Sequence, residues 1–372
     1  VTDPTTTISR LCREQDLHAD WYGSLAAKSG DRPSANRKQW EHLAIAQALL
    51  DLGCLAPGRR GLGFGVGREP LPALFAGHGS NVIATDLPSG AGASGWSDSG
   101  QHCNASDDLL RPSACTTEDF HRLVSYRPVD MTRIPVDLAD NFDFTWSSCA
   151  FEHLGSLEAG LRFLIEQARC LKPGGWAVHT TEFNVLSNDD TWTAGGTVAY
   201  RARDLVALAA ACNRAGLELV PVDLDPGNRP LDWAIDLWPY RPEPHLKLLS
   251  EGRFVLTSLL LIIHRPVTCS TIRDPGPILP PETAAVHAGP VGWTLVQAPP
   301  ADLRAAAEVE AWRLRYLGVT GSGDTGAERV LALETECQRW RDAYQRLAGH
   351  PLIRALLWLR RRLRGIHEPT TR

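Results

Sequence analysis

Between residues 60 and 265, short apolar runs alternate with stretches of helical periodicity. Strands are predicted at 61–64, 81–85, 142–147, 176–181, 218–222 and 254–264, each a brief apolar or alternating run. Helices are predicted between them, most clearly over 157–171 and 202–215. Strands separated by helices imply right-handed crossovers and hence an α/β fold with a mostly parallel, doubly wound sheet. The last two strand candidates are joined by a long connection with no clear helix of its own. Residues 88–121 are rich in Gly, Ser and Asp and longer than a typical connection, which predicts a lid or insertion.

The flanks differ from this centre. Residues 1–58 read as an N-terminal helical cap. Over 40–52 the apolar positions Leu43, Ala46, Leu49 and Leu50 fall at helical spacing, and Pro57-Gly58 then breaks the chain. The alternating region, 59–266, is the candidate ligand-binding domain. Prolines 275, 277, 280, 281, 290, 299 and 300 make 267–300 a linker or an extended wrap. The remainder, 301–372, reads as helices over 301–317 and 326–347 followed by a basic amphipathic segment, 351–365.

Composition narrows the function classes. With 43% hydrophobic and 22% charged residues the chain is of ordinary globular type, and a net charge of −5 offers no general attraction to nucleic acid. Nine cysteines are scattered without a C-x-x-C pair, so spacing indicates neither a zinc framework nor a disulfide scaffold, as expected of thiols in a reducing cytoplasm. Residues 1–13 lack the apolar core of an export signal, and the apolar run 259–263 is too short to span a bilayer. The expected location is cytoplasmic. Segment 351–365 carries five arginines, Trp358 and no acid, which suits peripheral contact with the inner face of an anionic membrane. Docking on the protein's own core or on a partner fits the same pattern, and helix 326–347 is a candidate for self-association.

The first chemical signal is Gly61-Leu-Gly63-Phe-Gly65-Val-Gly67-Arg-Glu69, placed between a strand and a helix. Glycines there let the backbone turn sharply and approach a ligand closely. Nineteen residues after Gly67, Asp86 ends the next apolar run, where a carboxylate can hold the hydroxyls of a ribose. No register satisfies the dinucleotide pattern G-x-G-x-x-G, and no Walker A sequence is present. A loop of this kind suits a nucleoside ligand without a pyrophosphate, such as an adenosyl amino acid.

At these residues the chain resembles class I S-adenosylmethionine-dependent methyltransferases, over 35–265. The resemblance implies a Rossmann-like sheet with an antiparallel last strand and S-adenosylmethionine as cofactor. It implies that Gly63, Gly65 and Gly67 face the methionine half, with Glu69 beside them, and that Asp86 and Leu87 hold the ribose. Asp130 and Met131 would contact the adenine, and Ser147 would close the end of the fourth strand, read in Phe142-Asp-Phe-Thr-Trp-Ser-Ser148. Leu171-Lys-Pro-Gly-Gly175 looks like the turn into the fifth strand.

Ligands of doubly wound sheets bind beyond the carboxyl ends of the strands. There lie Glu152-His153 and His179-Thr-Thr-Glu182-Phe-Asn184, followed by Asp189-Asp190. Methyl transfer to a hydroxyl needs a base, and His153 is the first candidate, with Glu152 and Glu182 as further acid–base candidates. A histidine capping the next helix reads the same way. Asn184, Tyr240, Arg241 and His245 are candidate acceptor contacts, since aromatic faces with planar polar groups suit carbohydrate. His179, Glu182 and His245 could instead gather around Mg²⁺, with Asp189 and Asp190.

From Arg37-Lys38 through Thr180-Thr-Glu-Phe-Asn184 to Tyr240-Arg-Pro-Glu-Pro-His245, the run is similar to bacterial sugar and polysaccharide O-methyltransferases. That resemblance implies a sugar or glycan acceptor, lipid-linked if the tail contacts a membrane. Two rivals stand beside it. A nucleotide-sugar oxidoreductase or epimerase would carry Tyr-x-x-x-Lys, which is absent. A non-catalytic cofactor-binding scaffold for glycan-assembly enzymes would bind cofactor without turnover.

Overall fold

The structure is a computed structural model that describes residues 7–87, 105–237, 240–251 and 253–279. The expected helices 301–317 and 326–347, the basic segment 351–365, most of the proline-rich linker and the first half of the 88–121 insertion lie outside the described residues.

In chain order the elements begin with β1 (Ser9–Leu11), α1 (Glu14–Leu17), α2 (Asp20–Ser29), α3 (Arg37–Asp51), β2 (Arg60–Gly63), α4 (Leu71–Gly77) and β3 (Asn81–Asp86). They continue with α5 (Thr117–Leu123), β4 (Val124–Pro128), β5 (Phe142–Ser148), α6 (Leu157–Gln167), β6 (Leu171–Asn184) and α7 (Ala202–Ala215). The last are β7 (Glu218–Leu219), β8 (Val222–Asp223), α8 (Pro230–Trp233), β9 (Ile235–Asp236), β10 (Lys247–Ser250) and β11 (Phe254–His264).

All described strands join one sheet with the path β4-β3-β2-β5-β6-β11-β1-β8. The run from β4 to β6 is parallel, and β11 closes antiparallel on β6 from Leu256↔Asn184 to His264↔Trp176. This is the expected Rossmann-like α/β sheet with its antiparallel last strand. β11 is nearly all apolar because it is covered on both faces, and its residues from Phe254 to Ile263 are buried. One face carries Trp40, Phe75, Phe144 and Trp146 under α3 and α4. The other carries Phe151, Phe163, Leu208 and Tyr200 with α6 and α7. Caps set the helix starts: the Asn36 side chain accepts from Lys38 N at α3 and Ser156 Oγ from Ala159 N at α6. Gly216, at φ 88°, ends α7.

The structure departs from the sequence expectations in three places. The N-terminal region is not only helical: β1 enters the sheet, pairing Arg10↔Leu260 against β11. Three residues are too few for a periodic signal, and only the long edge offered by β11 makes them a strand. The expected strand 218–222 breaks into β7 and β8, which pair with β11 and β1 respectively. The expected helix 157–171 stops early, and Leu171 already pairs with Phe142 as the start of β6. Among the described residues no helix is long and apolar enough to cross a membrane. The described cysteines are buried free thiols.

Candidate functional site

The glycine loop leaves the carboxyl end of β2 and turns above the sheet. Gly65 and Gly67 stand in the left-handed region at φ 59° and 49°, where a side chain would be strained. A Cβ on Gly65 would sit 2.8 Å from Ala150 Cβ and 3.3 Å from Met131 Sδ, so the loop lies directly against the segment after β5. Asp86, 2% exposed at the tip of β3, anchors it: Gly67 N donates to Oδ2 at 3.2 Å and Leu87 N to Oδ1 at 2.8 Å. A bare, sharply turned backbone beside a buried carboxylate fits an adenosyl amino acid, which is the cofactor the sequence implies.

Gly63 has a different reason to be glycine. Its Cβ would fall 2.3 Å from the Trp146 ring, as that of Gly61 would from Phe144. These two glycines make room for the aromatic layer of β5. Glu69 is part of the same layer: it is 6% exposed, accepts from Trp146 Nε1 at 2.6 Å, and burial raises its pKa well above the usual value. Asp130 accepts from the Thr132 amide and hydroxyl at 2.8 and 2.6 Å and from Arg133 at 3.0 Å. Burial works against its ionisation, but these bonds outweigh it and lower its pKa. Ser147 is buried, with Oγ 2.8 Å from His179 Nδ1.

The second half of the site is made of charges. Arg37, 5% exposed at the start of α3, donates to Glu182 Oε1 at 2.7 Å, to Glu41 Oε1 at 3.3 Å and to Ser258 Oγ at 3.1 Å. Lys38 Nζ approaches the same two carboxylates at 3.2 and 3.4 Å, with its side chain about half exposed. Ser258 also hydrogen-bonds Glu41. Burial alone would raise the Glu182 pKa, yet the two cations hold it below the usual value. Glu152 is fully buried and accepts from Thr181 Oγ1 at 3.1 Å; burial raises its pKa. Two buried carboxyls are thus pushed in opposite directions, the arrangement in which one gains or loses a proton while the other stays charged. Cys149, at φ 44°, is close to both. One ligand atom each from Cys149, Glu152 and Glu182 lies within 4.8 Å of the others.

Several expected site residues lie elsewhere. His153 is exposed on the rim, its Nδ1 2.8 Å from Gly196 O and 3.2 Å from Thr197 Oγ1, while its neighbour Glu152 points inward. Asn184 is spent on its own loop, donating to Asp190 O and accepting from Leu186 N. Asp189 and Asp190 are exposed and paired with Arg203 and Arg253. The expected metal trio is not assembled. His179 and Glu182 sit three apart on one strand and face opposite sides of the sheet. His245 Nδ1 is held 2.8 Å from Asp236. His179 packs edge-on against Phe151 and Phe163, and burial lowers its pKa to about 3. Tyr240 is 41% exposed with its hydroxyl on Leu249 O, and the Arg241 amide donates to Asp236.

Glu41, Cys149 and Ser258 were not singled out from the sequence. The i,i+4 pair Arg37/Glu41 at the start of α3, both buried, and the polar Thr257-Ser258 break in the apolar β11 run were the available signals.

A family model described as a methyltransferase domain matches residues 62–179, from the glycine loop to the middle of β6. No curated protein matches the chain. Solved structures similar to it include an S-adenosylmethionine dependent methyltransferase from Mesorhizobium loti, at 17% identity over 59% of this chain and 96% of that one, TM-score 0.36. A TehB-like SAM-dependent methyltransferase from Corynebacterium glutamicum overlaps at 18% identity over 65% and 93%, TM-score 0.33. The 1,6-didemethyltoxoflavin-N1-methyltransferase of Burkholderia thailandensis does so at 14% identity over 69% and 92%, TM-score 0.36. The sheet order, with its antiparallel last strand, is consistent with a class I methyltransferase fold, and the segment matched by the methyltransferase-domain model lies within that sheet.

Proposed function

We propose that the chain transfers a methyl group from S-adenosylmethionine to a hydroxyl of a sugar or glycan. The observation that carries this reading is the contact between the two halves of the site. Gly65 of the cradle abuts Ala150, and the adjacent Cys149 lies among the buried carboxyls of Glu152 and Glu182. The cofactor supplies an electrophilic methyl group when bound. What the chain must add is a group that orients a hydroxyl and one that accepts its proton. Glu182, kept ionised by Arg37 and Lys38, suits the first task. Glu152, buried beside the cradle with a raised pKa, suits the second better than the exposed His153. Carboxylates that accept paired hydroxyl hydrogen bonds favour a polyhydroxylated acceptor.

Titration calorimetry of S-adenosylhomocysteine and NAD⁺ into wild type and Asp86→Ala tests the cofactor. Binding of the first ligand only, weakened at least tenfold (about 1.4 kcal/mol) by the substitution, is expected. Binding of NAD⁺, or of neither, would overturn it. A panel of sugar, amine and thiol acceptors with Glu152→Gln then tests the acceptor. Turnover on hydroxyls that falls at least a hundredfold in the variant is expected; turnover confined to amines would displace the glycan reading. Cofactor binding with no turnover on any acceptor would point to a scaffold.

A further inference from the structure

The charges around Cys149 leave something to be balanced. Arg37 and Lys38 match Glu41 and Glu182, their ion-pair partners. Glu152 and Cys149 have no cation of their own among these contacts. Both are buried, Glu152 completely. Two carboxylate oxygens in the group, Glu152 Oε1 and Glu182 Oε2, are buried without any hydrogen-bond partner. An unpaired buried carboxylate oxygen is costly, and native proteins rarely leave two of them in one cluster of residues without a purpose. The three residues come from the segment after β5 and from β6, both firmly placed: Cys149 N donates to Thr180 O at 3.0 Å, and Thr181 Oγ1 fixes the other Glu152 oxygen.

We propose that Cys149, Glu152 and Glu182 bind one divalent cation of the zinc class. Their donor atoms already lie within 4.8 Å of one another. A thiolate at about 2.3 Å and carboxylate oxygens at about 2.0–2.2 Å from a tetrahedral ion need only a modest inward movement from there. One thiolate with two carboxylates favours zinc over Mg²⁺, which takes oxygen ligands in an octahedron. Three protein ligands leave the fourth position open, as in catalytic rather than structural zinc sites. An acceptor oxygen that took this position would become more acidic on the ion, and Glu152 would then serve as a ligand of the ion rather than as the free proton acceptor. The ion site stands on its own geometry; its use in activating the acceptor rests on the methyltransferase reading.

The test uses the full chain, stripped by a chelator and titrated with cobalt(II) while the absorption spectrum is followed. Saturation at one equivalent is expected, with the intense visible bands of a four-coordinate ion and a near-ultraviolet thiolate-to-metal band. Cys149→Ser should lose the near-ultraviolet band. Glu152→Gln and Glu182→Gln, which keep shape, should each weaken zinc at least tenfold in competition with a chromogenic chelator. No saturable spectrum, a six-coordinate spectrum, or a thiolate band that survives Cys149→Ser would each overturn the site. S-adenosylhomocysteine calorimetry on the same samples separates the two ideas. Cofactor binding without a cobalt signal removes the ion alone; a cobalt signal without cofactor binding removes the methyltransferase reading alone.

Discussion

The two halves of the site are built by different means. The cradle is backbone: two left-handed glycines, a strand tip and the amides that converge on Asp86, all within 27 residues of sequence on adjoining elements (61–87). The charged half is side chain. Arg37, Glu41, Cys149, Glu152, Glu182 and Ser258 come from α3, the β5 end, β6 and β11 and meet only because those elements stack. On the proposed reading, a ligand common to many reactions is held by a contiguous loop, whereas the acceptor's surroundings draw their chemistry from the whole sheet. The consequence is that errors in the two halves should cost different things.

Removing the central cation should show the largest effect. Arg37→Met leaves Glu182 and Glu41 buried with reduced compensation and should lower stability by about 3–5 kcal/mol in a denaturant titration. A loss under 1 kcal/mol would mean that water reaches these groups and that the charged half is not a dry site. Next comes Gly63→Ala, whose Cβ meets the Trp146 ring; a loss of about 1–3 kcal/mol is expected from overpacking. If stability holds while cofactor affinity falls, Gly63 serves the ligand rather than the aromatic layer.

A third prediction concerns acid. Burial holds the His179 pKa at about 3, against about 6.5 when unfolded. Between these values the unfolded chain carries a proton that the folded chain does not, so stability rises with pH in that window and is lost as pH falls. The slope should drop by up to one proton, about 1.4 kcal/mol per pH unit, in His179→Leu. It should not vanish, because His42, pushed down to about 4 by burial, acts with the same sign. An unchanged slope would mean that His179 titrates normally. The smallest effect belongs to Lys38→Met. Lys38 touches the same carboxylates as Arg37 but is about half exposed, so less than about 1 kcal/mol is expected. The contrast with Arg37→Met measures burial, since the partners are shared.

The cradle was legible because its requirements are local: glycine where φ is positive, and an acid where a strand ends. Gly63 has a further reason that spacing along the chain does not show, an indole from β5 83 residues away (146 against 63). His153 was favoured as base on chemistry alone, yet the one-turn helix Phe151–His153 directs Glu152 inward and His153 outward. Sequence spacing could not reveal which neighbour faces the site. The same holds for the metal donors: no pair spacing announced Cys149, Glu152 and Glu182, and the trio His179, Glu182 and His245 was separated by strand alternation and by Asp236.

By itself the sequence determined the periodicities, and with them the α/β class, the strand β11 and helix α7 to the residue, and the place of the glycine loop and Asp86. These follow from local backbone preferences and from which residues must avoid water. Only the tertiary structure decided that residues 9–11 become a strand, that Arg37 reaches Glu182 across 145 positions, and that Glu152 rather than His153 is buried. Each depends on an edge, a partner or a facing direction supplied by a distant segment, and such long-range pairing has no signature in the spacing of residues along one chain.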